Sequence, residues 1–352
     1  MNIKDLQRDN IKSLSPYACA RSEFKGEASV FLDANENPFN NAESSEALSY
    51  NRYPDPLQLK LKERIAQLKG VRPTQIMIGN GSDEPIDLAM RIFCEPGVDN
   101  IVSLDPTYGM YEVCADINNV EYRKVLLRED FTLDADKVLA ATDKHTKLIF
   151  LCSPNNPTGN LLCADEMMHI ISSFKGIIII DEAYIDFSPK DSWLSKLDNY
   201  PNIIILQTLS KAWGMAAVRC GMAFASEEII GFFNKVKYPY NMNILTQEFV
   251  YQQLQNSDRM KQDVAQLIQE RQRLAEALAT MPFIKHIYPS DANFLLVKTT
   301  DATSIYQTLM QQGVIVRNRN SVALCLGCLR ITIGTAEENN TLLNTLKTIQ
   351  NA

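Results

Sequence analysis

Between Gln207 and Gly221 the chain reads QTLSKAWGMAAVRCG, which sets one lysine, Lys211, between the hydroxyls of Thr208 and Ser210 and a later arginine, Arg219. A free lysine titrates near about 10.4, so only about one part in a few thousand is amine at neutral pH and a reactive lysine needs help. A nearby guanidinium favours the neutral amine, and a carbonyl compound traps it as a Schiff base. The same guanidinium, with the Thr208 and Ser210 hydroxyls, forms a cup for a phosphate. Together these residues call for a ligand that carries both an aldehyde and a phosphate.

Other segments complete such a site. Asp181 closes the run GIIIID, where a carboxylate holds a pyridinium nitrogen protonated and keeps the ring an electron sink. Tyr184 in DEAY and Asn156 in SPNNPTG are donors for a phenolic oxygen, and Tyr108 in PTYGMY is a ring to stack on a ring. In GNGSDE, Gly81 permits close backbone approach, and Ser82 or Asp83 begins a helix whose free N–H groups favour an anion. Glu84 stands where a third glycine would complete a dinucleotide fingerprint. Each piece alone has an ordinary explanation: a turn, a helix cap, a solvated charge or a half-buried aromatic. The ordered set fits pyridoxal 5'-phosphate.

Those residues need strand ends to present them. Apolar runs IMIG, IVSL, KLIFLC, GIIIID, NIIIL and CGMAFA alternate with helical patterns such as SDEPIDLAMRIF and DEMMHIISSF. Strands buried on both faces with helices between them predict an α/β fold with a largely parallel sheet, and ligands gather at the carboxyl ends of such strands. After about Pro239 the texture changes to a helical pattern over residues 246–279, then short strands NFLLVK, VIVR and LRITIG. The expected division is an N-terminal arm over 1–45, a large cofactor-binding domain over 46–240 and a small α+β domain over 241–352.

A net charge of -7 in 352 residues argues against a nucleic-acid surface. The longest aliphatic run, Ile177 to Ile180, is far short of the roughly 20 residues of a membrane span, and the N-terminus has no apolar leader core, so the cytoplasm is the expected location. Eight scattered cysteines read as buried thiols; the Cys325/Cys328 pair lacks further ligands, and His145, His169 and His286 lie far apart, so no metal is expected.

The chain resembles the fold-type I pyridoxal-phosphate-dependent aminotransferases, and more narrowly the histidinol-phosphate aminotransferase family. LSPY, LDANENP, NRYPDP, GNGSDE, PTYGMY, SPNNPTG, DEAYIDF, TLSKAWGMAAVRCG and GCLRITIG carry the resemblance, with Met215 and Ala217 as modest departures. It implies a large domain with a mostly parallel seven-stranded sheet, a smaller α+β domain and a homodimer with shared sites. Tyr53 would reach the cofactor phosphate of the neighbouring subunit, and Gly81, Ser82 and Asp83 would complete the phosphate cup. Arg330 would hold the α-carboxylate of the amino donor, Arg317 the substrate phosphate, and Tyr17 and Asn35 the imidazole side. Arg319 is not required by the family pattern and is expected to be solvated.

The implied activity is ping-pong transfer of an amino group between L-glutamate and imidazole-acetol phosphate, with Lys211 as general base and acid. The competing expectations on the same scaffold are a threonine-phosphate decarboxylase and an aromatic amino acid aminotransferase. A ligand-sensing domain of a DNA-binding regulator is the non-enzymatic alternative, disfavoured by the acidic charge.

Overall fold

Apolar, mostly β-branched runs form the larger sheet of the protein, in a computed structural model that describes residues 2–17, 19, 30–39 and 49–350. Its strands are β1 (Ile76–Asn80), β2 (Asn100–Asp105), β3 (Glu121–Leu126), β4 (Thr146–Cys152), β5 (Ile177–Asp181), β6 (Ile203–Thr208) and β7 (Cys220–Ala225), in the order β1-β7-β6-β5-β4-β2-β3. Every neighbouring pair is parallel except those of β7, which runs antiparallel to both β1 and β6. Ile177 and Ile179 feed one core while Ile178 and Ile180 feed the other, as the two-residue period of a strand requires. Helices cover both faces, which is why these strands are apolar throughout instead of alternating. The edge strand β3 was not legible as an apolar run, because EYRKVL keeps charges toward solvent as an unpaired edge does.

A second, antiparallel sheet has the order β10-β11-β9-β8, built from β8 (Ile284–Ile287), β9 (Phe294–Thr299), β10 (Arg317–Asn318) and β11 (Cys328–Thr332). Two expectations differ here. The helical pattern over 246–279 is two helices, Ile244–Gln253 and Ser257–Ala279, because Asn256 accepts a hydrogen bond from the Arg259 amide and caps a fresh start. Of VIVR only Arg317 joins a strand; Val316 is buried in the core of the small sheet. The expected boundary at residue 45 lies outside the described residues.

One contact brings the large sheet's antiparallel strand into register with the site. Gly221 sits opposite Gly79 in β1 and Thr208 in β6, and a Cβ there would run into the backbone of Gly81 and Ser82. Gly81 itself has φ 75° and donates its amide to the Arg219 carbonyl at 3.0 Å. Gly221→Ala is therefore expected to cost about 1–3 kcal/mol through overpacking and to push the Gly81–Ser82 turn away. Urea unfolding reads the first effect and cofactor affinity the second; an unchanged midpoint with unchanged affinity would show that the two backbones have room to part.

Candidate active site

The strand ends converge on a cavity of about 160 Å³. Gly81, Ser82 and Asp83 reach it from beyond β1, Asn156 from beyond β4, Asp181 and Tyr184 from β5, Thr208, Ser210 and Lys211 from β6, and Arg219 from the entrance to β7. Tyr108 closes one side. A second space of about 470 Å³ shares Tyr108, Asn156, Tyr184 and Lys211 with the first and opens toward Arg317 on β10, Arg319 just after it and Arg330 on β11.

Asp181 is buried, which pushes its carboxyl above the usual range. Two donors oppose that shift: the Tyr111 hydroxyl at 2.6 Å from Oδ2 and the Ala183 amide at 3.0 Å from Oδ1. The next residue, Glu182, takes no part in the cavity. It accepts from Ser192 Oγ, the Trp193 amide and Gln207 Nε2, and so ties down the loop after β5.

Lys211 lies over the Tyr184 ring, with Nζ 5.6 Å from the centroid. Burial and then the Arg330 charge pull its ammonium below the ordinary lysine range, against the opposing pull of Asp181 and Asp83. Arg219 contributes in the same direction as Arg330 but less. The shift toward the amine thus comes from burial and surrounding cations, with Arg330 ahead of the expected Arg219.

The phosphate cup is built from fixed parts. Thr208 Oγ1 lies 3.0 Å from Ser210 Oγ and accepts the Ser210 amide at 3.1 Å. Ser82 precedes the helix Asp83–Phe93 without making a side-chain cap bond and lines the cavity, so the helix's first-turn amides lie where an anion is favoured. The Asp83 carboxylate is turned elsewhere, 3.6 Å from Arg219 Nη2 and 3.0 Å from the Tyr108 hydroxyl that donates to it. Its backbone, not its side chain, is the part available to a phosphate.

Asn156 Oδ1 accepts from Arg330 Nη1 at 2.5 Å, which leaves its amide nitrogen for another partner. Asn155 holds that turn by donating to the Pro106 carbonyl and Thr158 Oγ1 while accepting from Thr107. A lysine, a buried carboxylate, a hydroxyl-lined anion cup and an aromatic wall meet in one space, and a side chain at Gly81 would strike Arg219. These residues fit pyridoxal phosphate.

Three expected residues lie elsewhere within this chain. Tyr53 is half-exposed and stacks on Tyr240 at 4.5 Å, while Tyr17 and Asn35 are exposed on the arm, Asn35 with φ 55°. None of the three lines either space. Arg319 is corrected: it is half-buried and lines the outer space rather than standing in solvent. Tyr111 was missed. Its signal was its position three residues after Tyr108 in PTYGMY, which brings the two rings to 5.5 Å, edge to face.

Residues 29–346 match the family described as aminotransferase class I and II. The chain is 56% identical over 349 residues to the histidinol-phosphate aminotransferase of Parabacteroides distasonis, covering 99% of each. Among solved structures it is similar to the histidinol-phosphate aminotransferase of Clostridium acetobutylicum, with TM-score 0.79, 25% identity, and 86% of this chain and 91% of that one covered. It also shares the fold of the Sinorhizobium meliloti histidinol-phosphate aminotransferase in complex with pyridoxal-5'-phosphate, with TM-score 0.77, 24% identity, and 85% and 84% covered.

The Tyr111–Asp181 bond yields a stability prediction. Removing a donor to a buried carboxylate by Tyr111→Phe is expected to cost about 1–3 kcal/mol. Without that donor the folded-state carboxyl titrates higher still, so the deficit against wild type is largest above that pKa, where Asp181 is ionised. It shrinks as the pH falls and the carboxyl takes a proton. Denaturant unfolding of both proteins across the acid range measures this, and a deficit that grows toward low pH would contradict it.

Proposed function

The chain belongs to the class I and II aminotransferases, within the histidinol-phosphate aminotransferases, and from that premise we propose how its residues carry out the reaction. The enzyme is a pyridoxal-phosphate-dependent transaminase that moves an amino group between L-glutamate and imidazole-acetol phosphate, giving L-histidinol phosphate and 2-oxoglutarate, a step of histidine biosynthesis. The observation that carries this reading is that Lys211 lines both the inner cavity and the outer space, with Arg317, Arg319 and Arg330 lining the outer one.

Bound pyridoxal phosphate supplies an aldehyde that condenses with amines and a ring that withdraws electrons from the adjacent carbon. Asp181 keeps the ring nitrogen protonated, and its own surroundings are arranged for it: Tyr111 and Ala183 hold the carboxylate in place. Ser82, Ser210, Arg219 and the first amides of the helix Asp83–Phe93 would hold the cofactor phosphate, with Gly81 allowing the approach and Thr208, which accepts the Ser210 amide, orienting Ser210. Asn156 and Tyr184, which line the same cavity, would donate to the phenolic oxygen, and Tyr108 would stack on the ring.

Lys211 Nζ, whose ammonium is disfavoured by burial and by Arg330, takes the proton from Cα of the amino donor. In the second half of the cycle it delivers a proton to Cα of the keto substrate. Arg330 holds the donor's α-carboxylate, and Arg317 meets the substrate phosphate; a guanidinium serves both anions because each presents paired oxygens.

The same reading makes the enzyme a cytoplasmic homodimer divided into arm, large domain and small domain near residues 45 and 240. Tyr53 then reaches the phosphate of the neighbouring subunit, and Tyr17 and Asn35 line the imidazole side. Support comes from the exposed apolar surface on and near the arm, with Leu32 at 90%, Tyr238 at 79% and Tyr17 at 76% exposure.

Two measurements test the reading. The loaded enzyme, mixed with L-histidinol phosphate and no keto acid, is expected to lose its visible absorbance band in one turnover and regain it with 2-oxoglutarate. Release of carbon dioxide from threonine phosphate with no keto-acid requirement would move the assignment to a decarboxylase. Lys211→Ala is expected to lose the lysine-bound visible band and to slow amino transfer by at least about 10²–10⁴-fold.

A further inference from the structure

Arg317, Arg319 and Arg330 share one face of the small sheet. Arg317 pairs directly with Arg330 across β10 and β11. Arg319 follows Arg317 by two residues, the period that returns a side chain to the same face, and its amide continues the ladder by donating to the Cys328 carbonyl at 2.9 Å. All three line the outer space beyond Lys211. Among the described residues none of the three forms an ion pair with a carboxylate, whereas Arg219, on the inner side, is matched by Asp83.

Their hydrogen bonding is incomplete in a directed way. Arg330 gives Nη1 to Asn156 and leaves a buried Nε without a partner; Arg319 likewise has a buried Nε without one. Burial and the mutual repulsion of the cluster weaken the hold on the Arg319 proton, Arg330 first and Arg317 next. A half-buried cation that faces two others and lacks a counter-charge costs free energy unless an anion joins it.

The two substrates differ in where they place their negative charge. In L-glutamate the α-carboxylate carbon is bonded directly to Cα. In an amino alcohol phosphate the phosphorus lies two bonds farther out, through a methylene and an ester oxygen, and it carries up to two charges. An anion held at Arg330 beside Lys211 therefore projects its outermost oxygens toward the mouth only when it is the phosphate ester.

We propose that Arg319 is a specificity-determining residue, a guanidinium that contacts the phosphate of the amino alcohol phosphate and not the α-carboxylate of glutamate. This rests on the transaminase reading above, and it assigns a role to a residue that the family pattern does not call for. Arg330 serves both half-reactions, and Arg319 distinguishes them.

The test compares wild type, Arg319→Gln and Arg319→Lys, all loaded with cofactor, in single half-reactions followed by the visible band. For Arg319→Gln the apparent affinity for L-histidinol phosphate is expected to fall about tenfold to a hundredfold, the loss of one bidentate charged contact. The fall with L-glutamate should be at least tenfold smaller, and L-histidinol, which has no phosphate, should show no comparable loss. Arg319→Lys, which keeps the charge without the fork, should lie between. Equal losses for both substrates, or none for either, would overturn the proposal, and an unchanged band and melting temperature in the variants guard against misfolding.

Inorganic phosphate, competing against L-glutamate, separates this proposal from the one beneath it. If wild type fails to react with L-histidinol phosphate, the substrate reading fails. Arg319 is then judged by whether its Gln variant weakens phosphate inhibition at least tenfold, and unchanged inhibition rejects it.

Discussion

A carboxylate and a lysine line one cavity in this enzyme, and burial works against the charge of both while each favours the charge of the other. Asp181 ends a strand buried on both faces, where an ionised carboxyl is costly, and Tyr111 and Ala183 offset part of that cost. Lys211, just beyond the end of the neighbouring strand, is under the same constraint: burial and Arg330 discourage its charge. The sheet keeps the two groups in place by backbone pairing, with Asp181 in register with Leu206. Most of what surrounds them serves that placement, from Glu182 tying back its loop to Asn155 fastening the turn that carries Asn156.

Arginines divide the remaining work by depth. Arg219 sits beside Asp83 at the inner end, where its charge is already balanced. Arg330 stands between the two spaces, bonded to Asn156 and placed over the Phe294 ring at 5.3 Å. Among the described residues the outer pair, Arg317 and Arg319, forms no ion pair with a carboxylate. Moving outward from the lysine, positive charge goes from matched to unmatched, and an anionic substrate meets the unmatched part first.

Much of this was legible in the sequence because apolar strands and polar strand ends are both written locally. GIIIID shows a strand buried on two sides and the aspartate that closes it, and SKAWGMAAVRCG keeps the lysine and its arginine on one short segment. What was not legible depends on pairing across distance. Tyr111 was hidden because its partner Asp181 lies 70 residues away. Arg319 was misjudged because only the antiparallel pairing of Arg317 with Arg330 turns it inward. The break at Asn256 was lost inside a periodic pattern that looks the same for one helix or two. Tyr17, Asn35 and Tyr53 sit on surface that a single chain leaves exposed, so their roles rest on resemblance and not on any contact within the subunit.

The reversed direction of β7 has a consequence of its own. Because it runs against β6, the chain leaves the sheet at Thr208 and comes back at Cys220 along the same rim, with Thr208 facing Gly221. Residues 209–219, which hold both Lys211 and Arg219, thus form a short span anchored at both feet. A parallel return would have needed a crossover to the far rim and would have handed these two tasks to remote parts of the chain. Anchored this way, the span cannot lengthen or shorten without moving the amine relative to the anion it must meet, so its length is as much a part of the chemistry as its side chains are.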